Sequence, residues 1–208
     1  MPVVLRKMVG LILMVGLSAA NALSNFTPIE LPRGVHIELP KNWIALSDSK
    51  RMSLAAYTQA QVERLNANEP EVEFPFAANL YDEDGFMAAG ISTRYYPKFT
   101  FTQSDAAQTT AQDLNELDQG LQKTVIPGAE SSGQRVLAWR GTKKINLNGV
   151  IAFVSEYRVS ALHNGPFVVK LVRVFNQQKS FTLILQYSEK NLLLEPIVSR
   201  VIRTLQVK

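Results

Sequence analysis

Residues 167–175 read Phe-Val-Val-Lys-Leu-Val-Arg-Val-Phe, and this stretch decides the class of fold. Successive side chains of a strand point to opposite faces. One face here carries Phe167, Val169, Leu171 and Phe175, and the other carries Val168, Val172 and Val174 beside Lys170. An antiparallel sheet with one face in water shows a clean alternation of apolar and polar residues. Because this strand does not, we expect helices or long connections to cover both faces of its sheet.

Segments rich in β-branched and aromatic residues lie on both sides of this strand, separated by turn signals. We predict strands at 135–140, 150–160, 166–175 and 181–187, with turns at 147–149, 163–165 and 177–179. These strands form an antiparallel meander. A two-residue turn at Asn164-Gly165 places Glu156 opposite Arg173, which serves as a marker of the register. The closing segment 194–205 returns to helical spacing, and Pro196 fits its first turn.

Two further helices are expected earlier in the chain. Apolar residues recur at helical spacing over residues 50–66, and Asp48 or Ser49 can cap that helix. A second helix is predicted from Ser104 to about Lys123, and Pro127-Gly128 is expected to stop it. Its apolar stripe consists of Ala107, Ala111, Leu114, Leu117 and Leu121.

Strand patterns precede and separate these helices. Residues 35–39 alternate at period two, with Val35, Ile37 and Leu39 expected to face inward. Residues 76–81 and 86–96 are strand-like, and the Asp-Gly pair between them is a strong signal of a two-residue hairpin turn. The elements together predict one α+β domain over residues 34–208. Its architecture is an antiparallel meander with helices packed on both faces, a three-layer sandwich.

The N-terminus has the pattern of a secretory signal peptide. The apolar stretch that follows Arg6-Lys7 is shorter than the roughly 20 residues of a comfortable membrane span, and it ends in Ala20-Asn21-Ala22. We predict that residues 1–22 are removed and that the mature chain starts at Leu23. An uncleaved anchor is the alternative. The protein is then expected in a periplasm or outside the cell, with residues 23–33 as an extended leader and no membrane span.

Composition narrows the possible chemistry. The chain has 208 residues and no cysteine, with 22 Lys and Arg against 18 Asp and Glu. Without Arg6 and Lys7 the net charge is +2, which is too small to indicate a nucleic-acid partner. Thiol catalysis and zinc-thiolate sites are impossible without cysteine. His36 and His163 supply the imidazoles, and the common catalytic motifs do not occur.

We therefore predict no catalytic, metal-binding or cofactor-binding residue. The three carboxylates of Asp82, Glu83 and Asp84 could approach a cation, but a calcium loop spreads its ligands over about twelve residues. A solvated hairpin turn is the preferred interpretation of these residues.

The order of elements resembles the PsbP-like fold family. This family includes extrinsic photosystem proteins, a nuclear-import factor that binds a small GTPase, and periplasmic DcrB-like proteins. The resemblance rests on Ile37-Glu38-Leu39-Pro40-Lys41-Asn42-Trp43, the helix over 105–125, the strand 181–185 and the helix ending at 201–205. It implies an antiparallel sheet between helical layers, usually without an enzymatic site, in an accessory or binding protein. The longer stretch over 50–75 departs from the family pattern.

Two groups of residues are candidates for partner contact. They are the aromatic residues Tyr95, Tyr96, Phe99 and Phe101 and the basic residues Arg135, Arg140, Lys143 and Lys144. Neighbouring aromatic residues on a strand point to opposite faces, so at least one of Tyr95 and Tyr96 is expected at the surface. The alternatives are a hydrophobic plug under a crossover loop for the aromatic group and a solvated sheet edge for the basic group.

Three functions are compatible with the sequence. The first is an exported, non-enzymatic accessory protein whose partner is an envelope protein or another envelope component. The second is a binding protein for a small apolar or lipid-like ligand, which requires a cavity between sheet and helices. The third is a hydrolase with an unconventional carboxylate or serine site, which requires a cleft with strongly perturbed titratable groups. We rank them in this order.

Overall fold

The computed structural model describes residues 25–64, 74–95, 100–160, 165–175 and 180–208, and the predicted signal peptide lies outside these ranges. The strands are β1 (Phe26–Leu31), β2 (Val35–Pro40), β3 (Ile44–Ala45), β4 (Phe76–Tyr81), β5 (Met87–Tyr95), β6 (Val136–Leu147), β7 (Val150–Val159), β8 (Phe167–Val174), β9 (Phe181–Ser188) and β10 (Gln206–Val207). The helices are α1 (Asp48–Arg64), α2 (Gln103–Gln108), α3 (Ala111–Ser131) and α4 (Leu194–Arg203).

The strands form two antiparallel sheets. In the described ranges the main sheet has seven strands in the order β3-β4-β5-β9-β8-β7-β6, and the small sheet has the order β1-β2-β10. The predicted meander of the second half is confirmed, because β6 to β9 are neighbours in chain order. Strand β9 then pairs with β5, which joins the early hairpin to the meander. The α+β class and the large antiparallel sheet are therefore confirmed.

Both faces of the main sheet are covered, as the pattern of residues 167–175 predicted. On one face, which we call the core face, helix α4 and the small sheet bury a continuous apolar cluster with strands β5, β8 and β9. Val35, Ile37 and Leu39 of β2 all face this cluster and are buried. The opposite face, which we call the helix face, contacts α2 and α3 at one side and α1 at the other.

The N-terminal leader belongs to the domain, contrary to the expected boundary at residue 34. Strand β1 pairs with β2 along its full length, and Leu31 is buried. The two prolines of this segment obscured the strand in the sequence. Pro28 is compatible with pairing because β1 is an edge strand, where a residue without an N–H leaves no ladder bond unmade.

The second predicted helix is two helices. Thr102 caps α2 and Thr110 caps α3, each in a capping box with the aspartate three residues later. The second capping box starts a new helix, so the helical conformation is interrupted at residues 109–110. Pro127 does not end the helix, which continues to Ser131. A proline removes one hydrogen-bond donor, and α3 tolerates this near its C-terminal end.

Two turns differ from the prediction and one agrees. Glu156 lies opposite Lys170 and not Arg173, because the β7–β8 connection is longer than two residues and the register shifts by three. The β4–β5 loop has three residues, since the Asp82 N–H donates to the Phe86 carbonyl at 2.8 Å and Gly85 has φ +80°. At 148–149 both residues have positive φ, as a two-residue hairpin turn requires. The predicted turn at 177–179 lies outside the described residues.

Candidate functional site

Tyr95 is not available as a surface contact. Its side chain is 4% exposed, and its hydroxyl donates a 2.6 Å hydrogen bond to the carbonyl of Pro32. The ring packs against Phe181 and under the guanidinium of Arg33, which lies 4.6 Å from the ring centroid. Burial raises the pKa of Tyr95 to about 12. Tyr95 thus links the segment after β1 to the main sheet. Its neighbours Tyr96 and Phe99 lie outside the described residues.

Phe101 is half-buried in an aromatic cluster at the helix face. It meets Phe153 and Phe175 edge to face, with ring centroids 6.2 and 5.0 Å apart. The three rings form the floor of a cleft of about 440 Å³ between α2, α3 and the sheet, which we call the aromatic cleft. Asp105 and Asp113 stand on its rim.

The carboxylates of the aromatic cleft already have partners. Each accepts hydrogen bonds from the backbone N–H and the hydroxyl of its capping threonine, at 2.7 to 2.8 Å. These bonds lower the pKa values of Asp105 and Asp113 below the usual range. Both groups are therefore ionised at neutral pH, which is the opposite of what a general acid needs.

The four basic residues at and just before β6 differ in their contacts. Lys144 donates to the carbonyls of Ala107 and Thr109 at 2.9 and 2.8 Å, so it binds the C-terminal end of α2. Arg140 pairs with Glu156, and Glu189 joins it at 3.7 Å. The side chains of Arg135 and Lys143 are exposed. Two of the four predicted contact residues therefore have structural partners.

A series of hydrogen-bonded polar side chains connects α3 to the sheet. The carboxylate of Asp118 accepts from the backbone N–H of Thr142 at 2.9 Å and from its hydroxyl at 2.5 Å. The Thr142 hydroxyl in turn contacts that of Ser155, to which Arg173 donates at 2.6 Å. Ser155 and Arg173 are buried. This network links α3 to the sheet, and its residues do not line the aromatic cleft.

A second cleft, of about 480 Å³, lies between α1 and strands β4, β5 and β9, and we call it the α1 cleft. The inner stripe of α1 is only half-buried at Leu54, Ala55 and Thr58, because the cleft lies beneath it. Met52 and Tyr57 face solvent instead, with 72% and 53% exposure, so the predicted apolar pattern of this helix does not mark a packed face.

The lining of the α1 cleft is apolar with a few polar groups. The apolar lining comprises Leu46, Leu54, Phe74, Ala77, Met87, Ile91 and Ile184. Asn79 and Gln186 supply amides, and Ser92 and Thr58 supply hydroxyls. The charged side chains among the described lining residues are Lys50 and Arg94. This is the usual composition of a site for a small ligand.

Gly90 allows three lining side chains of the α1 cleft to close over strand β5. A Cβ at this position would lie 2.9 Å from Oδ1 of Asn79, 3.3 Å from Sδ of Met87 and 3.4 Å from Nε2 of Gln186. Two features of β5 signal this site in the sequence, although the strand pattern alone did not single them out. Glycine inside a strand marks a bulge or a close approach of another group, and Arg94 is a cation in a run of buried residues.

The described residues offer little else for chemistry. Within them no group of three or more His, Asp or Glu side chains is arranged to hold a metal ion. His36 lies on β2, with its Nε2 4.0 Å from Glu30, and His163 is outside the described ranges. In the part of the chain that the structure describes, no helix is long and apolar enough to cross a membrane.

Comparison with known proteins finds similarity in structure and not in sequence. No protein-family model and no curated protein matches the chain. Among solved structures, cyanobacterial PsbP from Synechocystis sp. PCC 6803 superposes with a TM-score of 0.57 and 14% identity, over 89% of this chain and 94% of that one.

Two further structures superpose more weakly, each with a TM-score of 0.43 and 12% identity. The yeast Ran-binding protein Mog1p, from Saccharomyces cerevisiae, matches over 88% of this chain and 95% of its own. LpqN of Mycobacterium tuberculosis, which is involved in cell envelope biogenesis, matches over 88% and 90%. The superposition on PsbP covers most of both chains. The chain therefore has the PsbP-like fold.

Proposed function

We propose that this protein is an exported, non-enzymatic binding protein and that a small apolar or lipid-like ligand occupies the α1 cleft. The observation that carries the proposal is a cleft of about 480 Å³ with an apolar lining and a few polar groups. Ligand sites commonly have volumes of about 300 to 1,000 Å³. Export is proposed from the signal-peptide pattern of residues 1–22.

The α1 cleft is a better candidate than the aromatic cleft. Both have a suitable volume, but the carboxylates on the rim of the aromatic cleft already serve as helix caps. The lining of the α1 cleft is mostly apolar, and no helix-capping carboxylate is among its described lining residues.

The experiment measures displacement of a fluorescent apolar probe, N-phenyl-1-naphthylamine, by dodecanoate and by dodecanol. We expect the wild-type protein to bind at least one of the two ligands. In Gly90→Val the added side chain displaces Asn79, Met87 and Gln186, which line the cleft, so affinity falls by about tenfold or more, which corresponds to about 1.4 kcal/mol. Gly120→Val is the matched control, since nothing lies within 4 Å of a Cβ there.

Circular dichroism and thermal unfolding establish that each variant is folded. Thr58→Trp closes the same cleft from α1 and replaces Gly90→Val if the latter does not fold. The proposal is wrong if wild type binds neither ligand, or if a folded variant with a filled cleft binds as tightly as wild type. Residues 1–24 are the same in all variants, so any binding by that segment cancels in the comparison.

A protein partner is the second candidate. The β4–β5 hairpin and the loop before α4 lie at one end of the sheet and border a common depression. Exposed apolar side chains occur on both segments, namely Tyr81, Phe86, Leu192 and Leu193. Leu192 is 85% exposed, and exposed apolar groups of this kind mark interaction surfaces. This candidate gains support if the binding experiment is negative.

A further inference from the structure

We propose that the ligand of the α1 cleft is an anionic single-chain amphiphile whose head group binds between Lys50 and Arg94. The inference rests on the proposed function and deepens it by naming the class of ligand. Three features support it: the position of the two cations, the charge of the remaining lining and the path available to an apolar chain.

Lys50 and Arg94 lie at the same end of the cleft. The chain enters α1 past Leu46, whose backbone N–H donates to the carbonyl of Ala77 at 2.8 Å. Ala77 is paired with Ser92 across β4 and β5, and Arg94 is two residues farther along the same face of β5. Lys50, in the first turn of α1, follows Leu46 by four residues. Both cations therefore border the end of the cleft where α1 begins.

No acidic side chain lines the cleft among the described residues. Asp48, the carboxylate nearest to Lys50 in the sequence, is 88% exposed and pairs with Arg51 at 2.6 Å. Arg94 has another interaction within the protein. Its guanidinium has five N–H donors, so it can bind a carboxylate while keeping that interaction. At this end the charged side chains among the described lining residues are both cations.

The rest of the lining suits an apolar chain. From the cationic end the cleft continues along β5 and β9 past Ile184 and Gly90 to Met87. The side chain of Met87, which approaches Gly90, carries a thioether that adapts to the shape of a flexible ligand. A long-chain carboxylate matches both parts, with its head at the cations and its chain along β5 and β9.

The test compares three ligands with the same chain and different heads: dodecanoate, dodecanol and dodecyltrimethylammonium. We expect dodecanoate to bind about tenfold more tightly than dodecanol and the cationic ligand to bind most weakly. The preference for dodecanoate should fall as salt concentration rises, because screening weakens the attraction of partly exposed charges. All measurements use monomeric ligand below its micelle concentration.

Two variants assign the preference to the cations. Arg94→Gln and Lys50→Gln should each lower the affinity for dodecanoate severalfold and leave the affinity for dodecanol unchanged. Lys123→Gln is the control, since it removes an exposed lysine of α3 that does not line the cleft. Lys50 is exposed, so its variant keeps the test valid if Arg94→Gln does not fold.

The outcomes separate this inference from the proposed function. If dodecanol and dodecanoate bind wild type equally, or if the variants weaken both ligands alike, the head-group inference is wrong and the binding function stands. If neither ligand binds, the proposed function itself is wrong. Binding to vesicles containing anionic lipid, without any binding of monomeric dodecanoate, would also overturn the inference, because it would indicate a membrane surface as the partner.

Discussion

The contribution of Asp113, at the start of α3, to the stability of the protein depends on its ionisation. Its carboxylate accepts two hydrogen bonds from Thr110, and these lower its pKa below the usual value of about 3.8. A lowered pKa in the folded state contributes stability above the unfolded-state pKa, and this contribution is lost as pH falls through the folded-state value. Asp113→Asn should therefore be less stable than wild type at neutral pH, and the difference should shrink at the acidic end.

Urea unfolding of both proteins from neutral pH to about pH 2 measures this difference. An NMR titration of the Asp113 carboxyl in Thr110→Ala provides the control, because the loss of the hydroxyl donor should raise the pKa of Asp113 toward its usual value. A stability difference that stays constant over the whole pH range would contradict the role assigned to the charge.

Sequence reasoning at the scale of single residues succeeded where a local rule applied. The inward positions of β2 followed from alternation alone, and Val35, Ile37 and Leu39 are buried. The same rule could not decide which of two adjacent tyrosines is inside. Tyr95 is buried because its hydroxyl finds a carbonyl from residue 32, which is distant in the sequence. The α1 cleft was not predicted for a similar reason. Lys50 and Gly90 are far apart in the sequence, and they line the same cleft only because of the order of the strands.

At the scale of elements, the attachment of α3 to β6 rests on one specific pair. Asp118 binds both the N–H and the hydroxyl of Thr142, while the apolar stripe of α3 is only half-buried. We expect Asp118→Ala and Thr142→Val to be coupled, with an interaction energy of about 0.5 to 3 kcal/mol in a double-mutant cycle. Chemical unfolding of wild type, both single variants and the double variant measures this energy.

Glu116→Ala in place of Asp118→Ala is the matched control for that cycle. Glu116 is an exposed carboxylate of the same helix, and its side chain accepts a hydrogen bond from Gln112 of that helix. Its change should add to that of Thr142→Val without coupling. Additive behaviour in the Asp118 cycle would mean that other contacts hold α3 on the sheet.

The kinds of elements were predictable, whereas their boundaries and registers were not. The helix over 104–123 had the right periodicity, but the capping box of Thr110 and Asp113 starts a second helix inside it. Glu156 faces Lys170 because the register differs by three residues from the predicted one. A shift by an odd number moves a strand's side chains to the other face. The length of the β7–β8 loop therefore determines which residue lies opposite Glu156, and the composition of the strands does not reveal it.

At the scale of the whole molecule, the order of strands is what the sequence left open. The meander β6 to β9 follows from adjacency along the chain, because consecutive strands are usually neighbours. The pairing of β9 with β5 and of β10 with β2 joins segments far apart in the sequence. These two pairings unite the halves of the chain into one core, and they also bring β1 onto the domain.

The contribution of β1 to the whole fold leads to a prediction about its N-terminal boundary. Leu31 is buried, Phe26 packs under the guanidinium of Arg200 at 4.0 Å, and Tyr95 binds the Pro32 carbonyl. A chain starting at Gly34 loses all of these contacts and exposes the edge of β2. We expect it to be less stable than the full chain by roughly 3 kcal/mol or more, as the loss of at least one buried large apolar side chain and its neighbours implies.

A chain starting at residue 25 retains β1 and is the matched control for this truncation. Its urea unfolding midpoint should equal that of the full chain, while the midpoint of the chain starting at Gly34 should be clearly lower or the protein unfolded. Equal midpoints for all three would mean that β1 rests on the surface without supporting the core. In that case the domain would begin at residue 34, as the sequence pattern predicted, and the small sheet would be stable from β2 and β10 alone.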